Sequence, residues 1–231
     1  MAKDICNKIK CTAFIGTLFQ GDERRFDDKN YFNEENFYHY RLSKVKFFLG
    51  EKNKKELILG LQAIYLTPLC KEIPGEEARD KSVKELDIKV LEIPPNDFLC
   101  HLYVWRGDDR ITQIKLVTKK GKSLTVGSKE GEEVKIDFLN NKKCDDFMIL
   151  YFFGAYRKCL ECIAAGYVPI KEYVKNTMGY FMLKKKVKTN EKFRNRIEEN
   201  LKKFKSDDQV LYRVCQLPDN CFNSIIKYCF L

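Results

Sequence analysis

From Thr12 to about Val168 the apolar residues come in short runs that alternate with polar ones at a period of two, punctuated by Gly, Pro, Asn and Asp. A period of two sends successive side chains to opposite faces of an extended chain, so the pattern predicts strands. Val45, Phe47 and Leu49 alternate with Lys44, Lys46 and Phe48, and the series resumes after the polar turn EKNKK at Leu57, Leu59, Leu61, Ala63 and Tyr65. Further strands are predicted at 86–93, 98–105, 111–118, 124–127, 134–139, 147–153 and 159–168. Between them IPGEEARD, IPPND, RGDD, KKGK, SKEGE and NNKKCDD supply residues that tolerate tight-turn dihedrals. Strands this short and evenly spaced predict an all-β sandwich, barrel or prism rather than alternating α/β units.

Past Pro169 the period changes. Asn190 is placed to cap a helix in which Phe193, Ile197, Leu201 and Phe204 form one apolar stripe among Lys and Arg. Ser206 with Gln209 has capping-box spacing for a second short helix, and Asp219 can start a third through Phe222, Ile225, Ile226 and Phe230. The chain is therefore expected to divide into a β domain, 1–169, and a short α-helical C-terminal extension, 170–231.

Charge sharpens that division. The 231 residues carry a formal net charge of +10, and residues 170–231 hold 14 Lys or Arg against 7 Asp or Glu, a net +7. The basic balance, concentrated in the tail, suggests an acidic partner such as nucleic acid, an acidic protein surface or an anionic membrane. Lys184, Lys185, Lys186 and Lys188, beside Tyr180 and Phe181, are the densest cationic run, with the stripe Phe193, Ile197, Leu201, Phe204 following it as a second candidate partner contact. The opening Met-Ala-Lys-Asp is too polar for a secretory signal, and no apolar run approaches the roughly 18 residues of a membrane span. The expectation is an intracellular protein, cytoplasmic or cytoskeletal, with no membrane insertion. The ten cysteines are scattered singly, mostly in apolar segments, as expected of reduced thiols packed as small hydrophobes.

Four stretches of the β body resemble the jacalin-related lectins. They are FQGDERRFDD; the paired strands of LSKVKFFLGEKNKKELILGLQAIYL; EIPPNDFLCHLYVWRGDDRITQIKLVTKKGKSLTVGS, in which Pro94, Pro95, Asp97, Gly107, Thr118, Gly121 and Gly127 match the family's turn and strand positions; and FFGAYRKCLECIAAGY. The resemblance covers about residues 12–168 and implies a β-prism, three four-stranded sheets around a pseudo-threefold axis. It also implies a sugar site in the last hairpin, where a G-x-x-x-D motif offers a carboxylate to two adjacent sugar hydroxyls. Gly154 matches the glycine, but Lys158 stands four residues on and offers only donors; the nearest acids, Asp146 and Glu161, fall before the strand and past the turn. The family's glycine-rich N-terminal loop is reduced here to Gly21 among charged residues. The degenerate site is thus Gly21 with Gly154, Ala155, Tyr156, Arg157 and Lys158, the last three forming a cationic, aromatic tip suited to a phosphate, an anionic glycan or an acidic side chain.

Other patterns carry less. Cys159 and Cys162 form C-x-x-C, but no second pair completes a zinc site. Cys100 and His101 are sequence neighbours, which strand geometry turns to opposite faces, and Arg106-Gly107-Asp108 reads as a turn. Neither a phosphate-binding nor a dinucleotide-binding fingerprint is present, so no cofactor is expected. The reading that follows is a non-enzymatic structural or interaction protein, a prism scaffold docked into a larger intracellular assembly such as the microtubule lattice. The alternative is a lectin with a remade site for anionic glycans.

Overall fold

The computed structural model describes residues 9–16, 24–32, 40–66, 71–94, 97–135, 147–171 and 173. The predicted tail helices, the run Lys184–Lys188 and Gly21 lie outside the described residues. Among the described residues the elements run in chain order β1 (Lys10–Cys11), β2 (Ile15–Gly16), β3 (Arg24–Asp27), α1 (Asp28–Tyr31), β4 (Arg41–Lys52), β5 (Lys55–Leu66), β6 (Glu72–Pro74), β7 (Asp87–Glu92), β8 (Leu99–Arg106), β9 (Ile111–Thr118), β10 (Ser123–Gly127), β11 (Glu132–Lys135), β12 (Phe147–Tyr156) and β13 (Leu160–Pro169).

They form three antiparallel sheets, ordered β6-β5-β4-β7, β10-β9-β8-β11 and β1-β13-β12-β3, with β2 also on β13. The third sheet therefore counts five strands where four were expected. The difference is local: β1 pairs with Tyr167 and Gly166 and β2 with Cys162 and Ile163, so the two lie end to end along one edge of β13. Three residues between them, Thr12–Phe14, interrupt what would otherwise be a single outer strand.

The longest hairpin is set by its turn. Asn53 and Lys54 both have positive φ, 56° and 62°, the backbone that matches the right-handed twist of the strands they join. From that turn the register runs Lys52↔Lys55 to Arg41↔Leu66, with two bulges. Alternation then sends Val45, Phe47 and Leu49 inward, where all three are buried. Phe48 faces outward yet is also buried, because the Arg79 guanidinium lies 4.0 Å above its ring. Leu102 and Val104 of β8, Ile114 and Leu116 of β9, and Ile149, Phe152 and Ile163 of β12 and β13 join the same core.

Single acidic side chains tie strands, turns and sheets together. Glu56 on β5 accepts from the Gly127 N–H at the end of β10 (2.6 Å) and from Lys89 on β7 (2.6 Å). Asp97 accepts from the Phe98 and Lys120 backbone N–H groups (2.8 and 3.1 Å), pinning the approach to β8 against the β9–β10 turn. Asp28, at the start of α1, is buried and accepts from the Tyr65 hydroxyl (2.7 Å) and the Glu76 N–H (2.9 Å). Desolvation raises the Asp28 carboxyl to about 7, against the lowering effect of those two bonds.

Candidate functional site at the end of the last hairpin

Gly154, Ala155 and Tyr156 were expected in the turn; β12 runs through all three, and the turn is Arg157–Cys159, closed by the Arg157 N–H to the Cys159 carbonyl at 3.1 Å. Gly154 is glycine for a reason internal to the sheet. It pairs with Ile163 of β13 and Phe26 of β3, and a Cβ there would meet the Cys162 carbonyl oxygen at 2.2 Å. Ala155 is fully buried, and Tyr156 packs inward, its ring centroid 6.4 Å from that of Phe26, with burial raising its phenol. The aromatic member of the expected tip is thus turned into the protein, while Arg157 and Lys158 are exposed.

Lys158 shares its surroundings with Asp80. The carboxyl of Asp80 is held below its usual range by bonds from the Ser82 N–H and hydroxyl, with further help from the charges of Arg24 and Lys158. Cys159 is half-buried, and that burial pushes its thiol up. The charges felt at Cys159 include Arg110 and Asp109 as well as Glu161 and Arg157, so the β8–β9 loop comes to the side of this turn. Cys162 is buried on β13, and no disulfide joins Cys11, Cys100, Cys159 and Cys162, the cysteines among the described residues. No cluster of three or more His, Cys, Asp or Glu side chains suited to a metal occurs among the described residues.

The residue that sequence reasoning set aside is Glu161. It follows the turn on β13, and alternation puts its side chain on the face shared by Ile163 and Ala165, both in the core. Its carboxylate is therefore carried to the end of the prism and buried, the residue being 3% exposed. The Arg157 Nε donates to Oε1 across the turn, whereas Oε2 is buried without a hydrogen-bond partner. Gly16 of β2 lies beside it: φ there is +112°, and a Cβ would stand 2.0 Å from the Glu161 carbonyl oxygen. Gly16 thus brings the backbone of β2 against Glu161 and Cys162 of β13. A signal for Glu161 was available: a lone acid inside the apolar run CLECIAA requires a partner, and Arg157 is the cation one turn away.

No family model matches the sequence and no curated protein does. Solved structures do. The agglutinin of Calystegia sepium superposes with a TM-score of 0.53 at 12% identity, covering 69% of this chain and 96% of that one. A mannose-binding lectin from Champedak gives 0.52 at 16% identity over 70% and 97%, and Malaysian banana lectin 0.51 at 14% over 69% and 98%. Identities this low speak for architecture alone. With three antiparallel sheets around one core, this chain has the jacalin-like β-prism fold.

Proposed function

We propose that the protein is a non-enzymatic interaction protein, a jacalin-like β-prism used as a rigid scaffold and docked into a larger intracellular assembly whose surfaces are acidic. The observation that carries this reading is the Arg157–Glu161 pair. A prism that binds sugar at its last hairpin must hold a carboxylate open to a pair of hydroxyls. Here the carboxylate is 3% exposed and one oxygen is taken by the guanidinium of its own turn. A neutral sugar would have to displace a charge-assisted hydrogen bond before gaining one. The test is calorimetric titration with methyl α-mannoside: the wild-type chain is expected to give no saturable heat up to ~10 mM, an affinity below the weakest useful range. Saturable binding that disappears in Glu161→Gln would overturn the reading.

A second reading is favoured by one specific observation. Glu161 Oε2 is a buried acceptor with no donor, and such an oxygen costs about 1–3 kcal/mol until something donates to it. A sugar hydroxyl is a suitable donor, and the Champedak neighbour is described as mannose-binding. On this reading Arg157 swings away to admit the ligand, so Arg157→Ala binds hexose more tightly than the wild type. On the scaffold reading the same variant remains indifferent to sugar.

A further inference from the structure

Sheet β6-β5-β4-β7 ends at β7, and no strand among the described residues is hydrogen-bonded to its outer side. Exposed strand edges are normally blunted by charge, proline or a bulge. This one carries Leu86, Ile88 and Val90 at 58%, 43% and 42% exposure, spaced two apart and hence side by side on the outer face. The stripe continues inward, since Ile88 is paired with Phe48, which lies beneath Arg79. The backbone agrees with the side chains. Ile93 donates to the Ser43 carbonyl at 2.7 Å, so the alternation of an antiparallel ladder directs residues 89 and 91 toward β4 and leaves the N–H and C=O of Ile88 and Val90 facing outward, while the Leu86 N–H is turned inward to the Leu49 carbonyl at 2.9 Å. The Ile88 N–H is covered only by the carboxylate of the preceding residue, Asp87, at 2.8 Å.

We propose that a second copy of this chain pairs with this edge, β7 against β7 antiparallel across a two-fold axis at Ile88, making one sheet continuous through a homodimer. Self-complementarity selects both the occupant and the register. With Ile88 opposite Ile88 of the partner copy, Leu86 faces Val90, and Asp87 faces Lys89 on the opposite side of the sheet. From Leu86 to Val90 apolar meets apolar and acid meets base, and Ile88 and Val90 present the outward-facing backbone groups. A register centred on Lys89 instead sets the two lysines against each other, which is unfavourable. Lys89 already bridges to Glu56 at 2.6 Å, and its ammonium has donors left for the incoming Asp87, which in turn releases the Ile88 N–H to the new ladder. This pairing does not depend on whether the hairpin end binds sugar.

Sedimentation velocity of the full chain between about 1 and 100 μM tests it, a range that brackets micromolar self-association. The wild type is expected to show a concentration-dependent dimer. Ile88→Lys should raise the dimer dissociation constant by at least about tenfold, by placing two like charges at the axis. Asp87→Lys, which turns each Asp–Lys pair into Lys–Lys, should raise it by about three- to tenfold. Both positions are exposed, so at the dilute end of the range, where the wild type is monomeric too, each variant should keep the wild-type melting temperature, and either alone suffices if the other fails to fold. A monomeric wild type at the highest concentration overturns the proposal, including the case in which the Phe193–Phe204 stripe of the same chain covers β7. So does a dimer that neither substitution weakens.

Discussion

Replacing Asp28 by Asn should change how the stability of this prism depends on pH. The carboxyl is buried against Tyr65 and the 75–76 backbone, and its folded-state value of about 7 compares with 3.8 when unperturbed. The folded chain therefore holds a proton that the unfolded chain has lost between these two values. Where the native state binds more protons, stability falls as pH rises, by about 1.4 kcal/mol per unit, until the folded value is passed. Between pH 5 and pH 8 the wild type should lose roughly 2.5 kcal/mol through this group alone. Asparagine has nearly the same shape, can accept from the Glu76 N–H through its oxygen, can donate to the Tyr65 hydroxyl through its amide, and does not titrate.

Other carboxyls contribute to the pH profile of both proteins and cancel in the difference. Urea denaturation at half-unit steps from pH 5 to pH 8 is the assay. With a slope of about 2 kcal/mol per molar urea, the midpoint of Asp28→Asn should gain roughly 1.2 M on that of the wild type across the range. A difference that stays constant from pH 5 to pH 8 would show that Asp28 is ionised throughout, and would refute the claim that burial outweighs its two hydrogen bonds. Tyr65 cannot produce the same signal, because burial pushes its phenol well above its usual value and out of the range scanned.

Three further outcomes follow from single positions. Lys54 is exposed in the second, positive-φ place of the β4–β5 turn, so Lys54→Gly should stabilise the prism by about 0.5–1 kcal/mol in a urea titration, despite the extra freedom it gives the unfolded chain. Gly154→Ala forces a methyl within 2.2 Å of the Cys162 carbonyl oxygen, across a pair that both strands hold fixed, and should cost about 2 kcal/mol or more on the same measurement. Arg157→Ala leaves the buried Glu161 carboxylate uncompensated and should destabilise by about 3 kcal/mol, while Arg157→Ala with Glu161→Leu should recover most of the loss; an equal loss in both variants would mean that the pair is not coupled.

The β4–β5 hairpin was legible because two independent signals agreed in one place: the alternation of Val45, Phe47 and Leu49 fixes the inner face, and Asn53 fits the turn that fixes the register. The split outer strand was not legible, because β1 and β2 are two residues each and no periodicity can be read from two positions. Phe48 is a different kind of miss. Alternation puts it on the wet face, and only a guanidinium arriving from residue 79 buries it. Such long-range cover leaves no trace in a local pattern.

The last hairpin was misread for a physical reason that bears on function. Gly154 was taken as the start of a ligand turn because it matches the glycine of the lectin motif, yet it sits in a paired strand where the backbone of β13 comes too close for a Cβ. Gly16 is constrained in the same way from the other side, by the Glu161 carbonyl. Both glycines are therefore demanded by the packing of β2, β12 and β13 whether or not anything binds at the turn. The likeness that Gly154 creates to the sugar-binding motif reports how the strands fit together, and it would persist through the loss of a ligand. What the two glycines leave open at this end of the molecule is the Glu161 carboxylate, which bonds Arg157 through one oxygen and buries the other without a partner.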